Sequence, residues 1–175
     1  MRIIYFTRPY SEYQSANYQS DVINYLCNKF DVTVKVLLTS YGNPSGKLIT
    51  KKYQNDLIDL ANSFDLVILG HNLLGDHPTE NIIPFGLDFL HKVKTDKVAF
   101  IQKEYARLND KLEFFKYFKI KLLISHLGEV SKIKLIDYNP KVIFVPFGFD
   151  PKVFKKNQSS KKWDLCFSGV IENPT

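Results

Sequence analysis

Four segments of this 175-residue chain carry side chains able to do acid/base or hydrogen-bonding chemistry. His71 and Asn72 follow directly on the apolar run Leu66 to Leu69, and His77 lies further along the same polar stretch. An imidazole at such a junction serves either as a hydrogen-bonding or acid/base group in a crevice, or as a loop residue that caps backbone and meets solvent. His126 stands in the same relation to the run Leu122 to Ser125. Gln102, Lys103, Glu104 and Tyr105 close a third run with an amide, both signs of charge and an aromatic ring, a mixture that suits a polyhydroxylated ligand. The same residues also make an ordinary helix start with an acid in its first turn. Arg8 follows the first apolar run of the chain. His71, Asp76 and His77 are metal-binding by type, but their spacing matches no ligand pattern, so no metal is expected. Cys27 and Cys166 are far apart, without a CxxC or a Cys/His cluster, and read as small buried apolar residues.

The elements that must position these groups alternate. Short β-rich runs (Ile3 to Thr7, Val32 to Leu38, Leu66 to Gly70, Lys97 to Gln102, Leu122 to Ser125 and Val142 to Val145) are separated by stretches with helical patterning. The first intervals are roughly thirty residues, the length of a βαβ unit. Helices are expected over about 18–29, with Val22, Ile23, Leu26 and Cys27 on one face, over 52–62, over 84–93, over 108–118 and over 129–136. The segment from Thr39 to Lys47 reads as a loop, because Gly42, Asn43, Pro44, Ser45 and Gly46 are turn formers. The continuous run from Leu66 to Leu69 suits a central strand covered on both faces. Such an order predicts an α/β fold with an open, doubly wound, mostly parallel, Rossmann-like sheet, in which ligands bind at the carboxyl ends of the strands. Those ends are where the four segments lie. The Phe114 to Lys119 stretch has the look of an aromatic and basic platform for nucleic acid, but a helix packing its rings on the sheet explains it better. Exposed rings there would suit a domain interface.

Composition narrows the function classes. Hydrophobic residues make up 45% of the chain and charged residues 24%, enough apolar surface for a packed core, and no apolar run approaches a membrane span. The start MRIIYFTRPY has no signal-peptide stretch, and a cytoplasmic location is expected. The net charge of +6 and pI near 9.1 come from lysines that look scattered. The pairs Lys51-Lys52, Lys155-Lys156 and Lys161-Lys162 read as solvated surface, which leaves a weak pull toward anionic lipid, at the inner face of the membrane, or toward polyanionic substrates, and no nucleic-acid partner. There is no GxGxxG after the first strand and no GxxxxGK[ST], so neither a dinucleotide site nor a P-loop is supported. A receiver domain lacks its acidic residues, since Gly70-His71 and Arg8 occupy their places, and no GxSxG supplies a hydrolase nucleophile.

The last part of the chain is the most specific. Val145-Pro146-Phe147-Gly148-Phe149-Asp150, with Phe154, is followed by a polar linker and then by Trp163-Asp164-Leu165-Cys166-Phe167-Ser168-Gly169. This order resembles the interdomain region of GT-B-type glycosyltransferases, particularly family 4-like and spore-maturation-type members, where a "PNGVD…F" segment closes the N-terminal domain and a "yDvsFvGs" strand opens the next. The stretch from Phe64 to Asn72 is similar to the family's strand ending in a histidine. The resemblance implies a Rossmann-like acceptor-side domain over residues 1–150, with a linker and the first strand of a donor domain over 151–175. It implies a nucleotide-sugar as donor substrate, no other cofactor, and a saccharide, lipid-linked or protein acceptor. Arg8, His71, Asn72, Lys103, Glu104, Tyr105 and His126 would then line the acceptor half of a cleft, and Gly169 would begin the loop that approaches the donor phosphates. The family's paired acidic motif lies further along than Thr175, so a chain of this extent is expected to fold but to transfer no sugar. Inverting members often carry a base histidine after the first strand, where this chain has Thr7-Arg8-Pro9-Tyr10; His71 and His126 are the remaining catalytic candidates. A non-catalytic α/β binding or regulatory domain is the alternative.

Overall fold

A computed structural model describes residues 1–7, 17–37, 51–74, 87–101, 107–126, 138 and 140–145. Six strands form one sheet: β1 (Arg2–Thr7), β2 (Asp31–Val36), β3 (Leu66–Leu69), β4 (Lys97–Ile101), β5 (Leu122–Ser125) and β6 (Lys141–Phe144). Their order across the sheet is β2-β1-β3-β4-β5-β6, and every neighbouring pair is parallel. The helices are α1 (Asn17–Lys29), α2 (Lys51–Asn62) and α3 (Leu108–Tyr117). The α/β, Rossmann-like expectation therefore holds.

The apolar runs form central strands because both faces of a parallel sheet need cover. In β1, residues Ile3 to Thr7 are all buried, and all five residues of β4 are buried. Alternate side chains go to two separate cores. Ile4 and Phe6 of β1, Val67 and Leu69 of β3 and Ala99 and Ile101 of β4 meet Leu57 and Ala61 of α2 and Leu112, Phe114 and Phe115 of α3. Ile3, Tyr5, Ile68 and Phe100 point the other way and meet Ile23 of α1, with Val22 and Leu26 against them. Helices on both faces make the sheet doubly wound. The chain steps from β1 outward to β2, then returns across β1 to build β3 to β6 on the other side. The strand order thus reverses between β1 and β3, which defines a switch point where the ends of neighbouring strands diverge. Edge strand β2 is poorly covered, with Val34 and Val36 exposed.

Two details depart from expectation, and a third, the packing of the α3 rings on the sheet, follows it. Cys27 is exposed rather than buried. Successive helical residues rotate by about 100°, so the stripe set by Val22, Leu26 and Ile23 leaves Cys27 on its outer flank. In the 84–93 stretch, the described part is a 3-10 turn, Asp88–His91, rather than an α-helix. Its Phe89 and Leu90 are buried, and seating that adjacent pair is all the turn needs to do before the chain enters β4. In α3, Phe114, Phe115 and Phe118 are buried, and of the aromatics in that stretch only Tyr117 is exposed. The three phenylalanine rings therefore serve the core, at about 2 to 3 kcal/mol of burial each. The expected loop at 39–47, helix at 129–136 and second-domain strand at 163–169 lie outside the described residues.

The end of α3 has a defined stop. Lys119 N–H bonds to Lys116 O at 3.0 Å and Ile120 N–H to Phe115 O at 2.9 Å. This is the pair of bonds that closes a helix with one left-handed residue. That residue is Lys119, with φ 55°, and the buried Ile120 after it returns to the core.

Candidate functional site

The site is built where β3, β4 and β5 end. At the end of β3, Gly70 N–H donates to Phe6 O of β1 at 2.9 Å, which holds the two strands together at the switch point. A Cβ at Gly70 would lie 2.8 Å from Tyr5 Cε1, 3.0 Å from Tyr5 Oη and 3.1 Å from Phe6 O. Glycine is required here for close approach and not for its backbone angles, which are ordinary (φ −69°, ψ 162°). A 3-10 turn, His71–Leu73, follows, and Leu73 N–H returns to Gly70 O at 3.2 Å. Leu73 is buried in the α2/α3 core and anchors the turn. With its two ends pinned, the turn aims the His71 side chain across the end of β4.

His71 is 5% exposed and lies over the Phe100 ring of β4, with centroids 4.1 Å apart and planes inclined by 27°. Beyond Phe100 it meets His126, which follows β5 and is 9% exposed. The two Nε2 atoms are 2.8 Å apart. The imidazole planes differ by only 5° with centroids 5.0 Å apart, so the rings meet nitrogen to nitrogen, edge on, in one hydrogen bond. On its other side, His126 Nδ1 is 2.7 Å from Val145 O, just past β6. A carbonyl only accepts, so His126 Nδ1 carries a hydrogen and donates it. Val145 is itself fixed, since its N–H donates to Ser125 O at 2.8 Å. The result is a chain of contacts from the end of β3, over β4, through the residue after β5, to the residue after β6.

Burial sets the protonation of the inner ring. Desolvation first, and the neighbouring His126 second, lower the pKa of His71 to about 3. His71 is therefore neutral at ordinary pH. When His126 Nε2 is bare, His71 Nε2–H donates to it. When that nitrogen carries a hydrogen, His71 accepts through Nε2 and keeps its own hydrogen on Nδ1. In each arrangement one hydrogen lies between the facing nitrogens, but the second holds one proton more than the first, with the positive charge on the His126 ring and the His71 hydrogen moved to Nδ1. The pair is thus a one-proton unit able to accept or release a proton by switching which ring donates.

Of the residues expected at the site, the fold brings His71 and His126 together. Asn72 falls within the 3-10 turn beside His71. Arg8, Lys103, Glu104, Tyr105 and Gly169 lie outside the described residues, as do His77 and Cys166. Three contributors are absent from the sequence reading. Phe100 is the platform under His71, the Val145 carbonyl orients His126, and Gly70 admits the turn. Phe100 is legible in hindsight as the last α1-facing position of β4. The carbonyl carries no side-chain signal at all. Among the described residues, no group of three His, Cys, Asp or Glu side chains is placed to hold a metal ion, and no helix is long and apolar enough to cross a membrane. Comparison of the chain with protein-family models, with curated proteins and with solved structures gave no match.

Proposed function

We propose that this chain is the acceptor-side part of a GT-B-type glycosyltransferase, which moves a sugar from a nucleotide-sugar to a glycan, lipid-linked or protein acceptor. The observation that carries the reading is an order along the chain. A sixth parallel strand ends at Phe144, directly before Val145-Pro146-Phe147-Gly148-Phe149-Asp150, with the polar linker and Trp163 to Gly169 after it. The imidazole pair at the carboxyl ends of the strands supplies chemistry that suits a sugar hydroxyl. Such a hydroxyl, inserted between the two rings, replaces one N–H···N bond with an O–H···N and an N–H···O bond, so no polar group is left unsatisfied. The ring that accepts the hydroxyl's hydrogen makes the oxygen a better nucleophile toward the donor sugar.

The test is saccharide binding followed on the imidazole resonances of the folded chain. Acceptor-type glycans and lipid-linked saccharides are expected to shift the His71 and His126 signals, and His126→Ala to abolish binding. A folded chain whose imidazole signals ignore every saccharide offered would sink the acceptor reading.

A second reading, a non-catalytic α/β binding domain, draws on one feature: both Nε2 atoms are occupied with each other, which suits an orienting unit better than an open base. Incubation of the complete gene product with a panel of nucleotide-sugars separates the two. Transfer that His126→Ala removes supports the enzyme, and saccharide binding without any transfer supports the binding domain.

A further inference from the structure

The amino ends of β4, β5 and β6, opposite the imidazole pair, collect positive charge that the sequence scatters. Three stretches arrive there: 92–97 into the start of β4, 116–121 from the end of α3 toward β5, and 140–141 into the start of β6. Together they hold Lys92, Lys94, Lys116, Lys119, Lys121 and Lys141, all exposed, and the buried Lys97, against a single acid, Asp96. The backbone fixes the row. Lys121 N–H donates to Lys97 O at 2.9 Å, and Lys141 N–H to Lys121 O at 3.0 Å, so these three lysines step from strand to strand. Neighbouring strands are about 4.8 Å apart. Lys119 and Lys121 are close enough to Lys97 to oppose its charge. Lys97 Nζ is tied inward to Val93 O at 2.7 Å. Asp96 meets Lys121 at 2.7 Å, with both side chains more than half exposed.

The turn that presents Lys92 and Lys94 is held from behind. Asn62 Oδ1, at the end of α2, accepts from Lys94 N–H at 2.8 Å, and Lys92 N–H bonds to Phe89 O at 3.0 Å. Beside this turn, the exposed Tyr117 lies against the exposed His91, with ring centroids 5.0 Å apart. Like charges gathered on one end repel each other in the folded state, so the arrangement works against stability unless something anionic meets it.

We propose that this end of the domain docks on an anionic lipid surface, with the six exposed lysines over the headgroups and Tyr117 at the interface. The chemistry favours lipid over nucleic acid. The charges are all lysine, hydrated point charges on long apolar stems that reach a headgroup layer while the stems lie along it. The segments contain no arginine for paired contacts to bases or phosphates. They also lack a stacking platform, because Phe114, Phe115 and Phe118 are buried and Tyr117 alone is exposed in that stretch. A single exposed tyrosine beside lysines is the combination found at membrane interfaces. This inference does not rest on the glycosyltransferase reading.

The test is co-sedimentation of the whole chain with phosphatidylcholine vesicles with and without phosphatidylserine, at low and physiological salt. Binding is expected only with phosphatidylserine and to weaken as salt rises. Each lysine near such a surface is worth about a fivefold gain in partition, so Lys116→Gln/Lys119→Gln/Lys141→Gln should lower partition about 100-fold. Lys155→Gln/Lys156→Gln/Lys161→Gln removes the same charge elsewhere in the sequence and should cost clearly less. Circular dichroism on each variant ensures that folded proteins are compared. No partition into phosphatidylserine vesicles at low salt would overturn the proposal, as would equal losses in the two triple variants. So would salt-sensitive binding to single-stranded RNA that the first triple variant abolishes while vesicles stay unbound.

Discussion

Acidification should destabilise this protein through His71 before carboxylate protonation completes the job. In the unfolded chain a histidine takes a proton near pH 6.5, whereas in the folded protein burial and His126 hold the His71 value to about 3. A base whose folded pKa is depressed leaves the folded state with fewer bound protons, so stability is full above pH 6.5 and falls as the pH drops from there toward 3. Below about pH 5.5 the slope approaches 1.4 kcal/mol per pH unit. Between pH 7 and pH 4.5 the loss from this one group is about 2.5 kcal/mol, a large share of the ordinary stability of a domain. The clean perturbation is His71→Phe, which keeps a ring over Phe100 and removes the titration. Urea midpoints at pH 7, 6, 5.5 and 4.5 give the stability of both proteins, and carboxylates common to both cancel in the difference. The variant starts lower at pH 7, because His126 Nε2 has lost its neighbour, but its loss on acidification should be smaller by about 2.5 kcal/mol. Imidazole NMR supplies a direct check, since the His71 ring signals should stay in their neutral positions down to about pH 4. Parallel pH profiles for the two proteins, or a His71 signal that titrates near 6.5, would refute the reasoning.

Two further outcomes follow from single residues. Lys119 sits at φ 55° at the stop of α3, a conformation that costs a residue with a Cβ roughly 1 kcal/mol or more, so Lys119→Gly should raise the thermal midpoint by several degrees; a lowered midpoint would mean that the stop is held by the lysine stem. Gly70→Ala should destabilise by about 1 to 3 kcal/mol, because the new methyl meets the Tyr5 ring and the Phe6 carbonyl, both buried in the sheet. It should also broaden the His71 ring signals, and an unaltered chemical denaturation midpoint would show that β1 and β3 separate there without cost.

The strands were legible because a strand covered on both faces leaves no polar alternation to interrupt it. The runs around Leu66 and Leu122 were located to within a residue. Burial of Phe114 and Phe115 was legible for the same reason, as rings at helical spacing have to be covered. The order of the strands was not, since pairing is decided by which way each crossover returns, and no residue in β1 announces that β3 will lie beside it. The meeting of His71 with His126 depends on that order. Their junctions were visible as places where ligands bind, but a 55-residue separation carries no contact signal. Gly70 looked like an ordinary strand end, because the need for it comes from the Tyr5 ring on another strand. The grouping of charge is the least legible feature: lysines that appear singly before three successive strands look dispersed in the chain, and become neighbours only when those strands align. Cys27 failed at the level of the helix, where a narrow stripe covers fewer positions than the apolar residues available to fill it.

The parallel sheet also works as a spacer. All six strands run the same way, so every amino end lies on one side and every carboxyl end on the other. The strand between Lys97 and Ile101 fixes the distance from the lysine row to the imidazole pair at about 15 Å. With the lysine end against a bilayer, the imidazoles would stand a full strand length above the headgroups, at the end of the sheet that faces away from the membrane. A sugar attached directly to a short lipid headgroup could not reach them, whereas the growing tip of a longer saccharide chain rooted in the same membrane could.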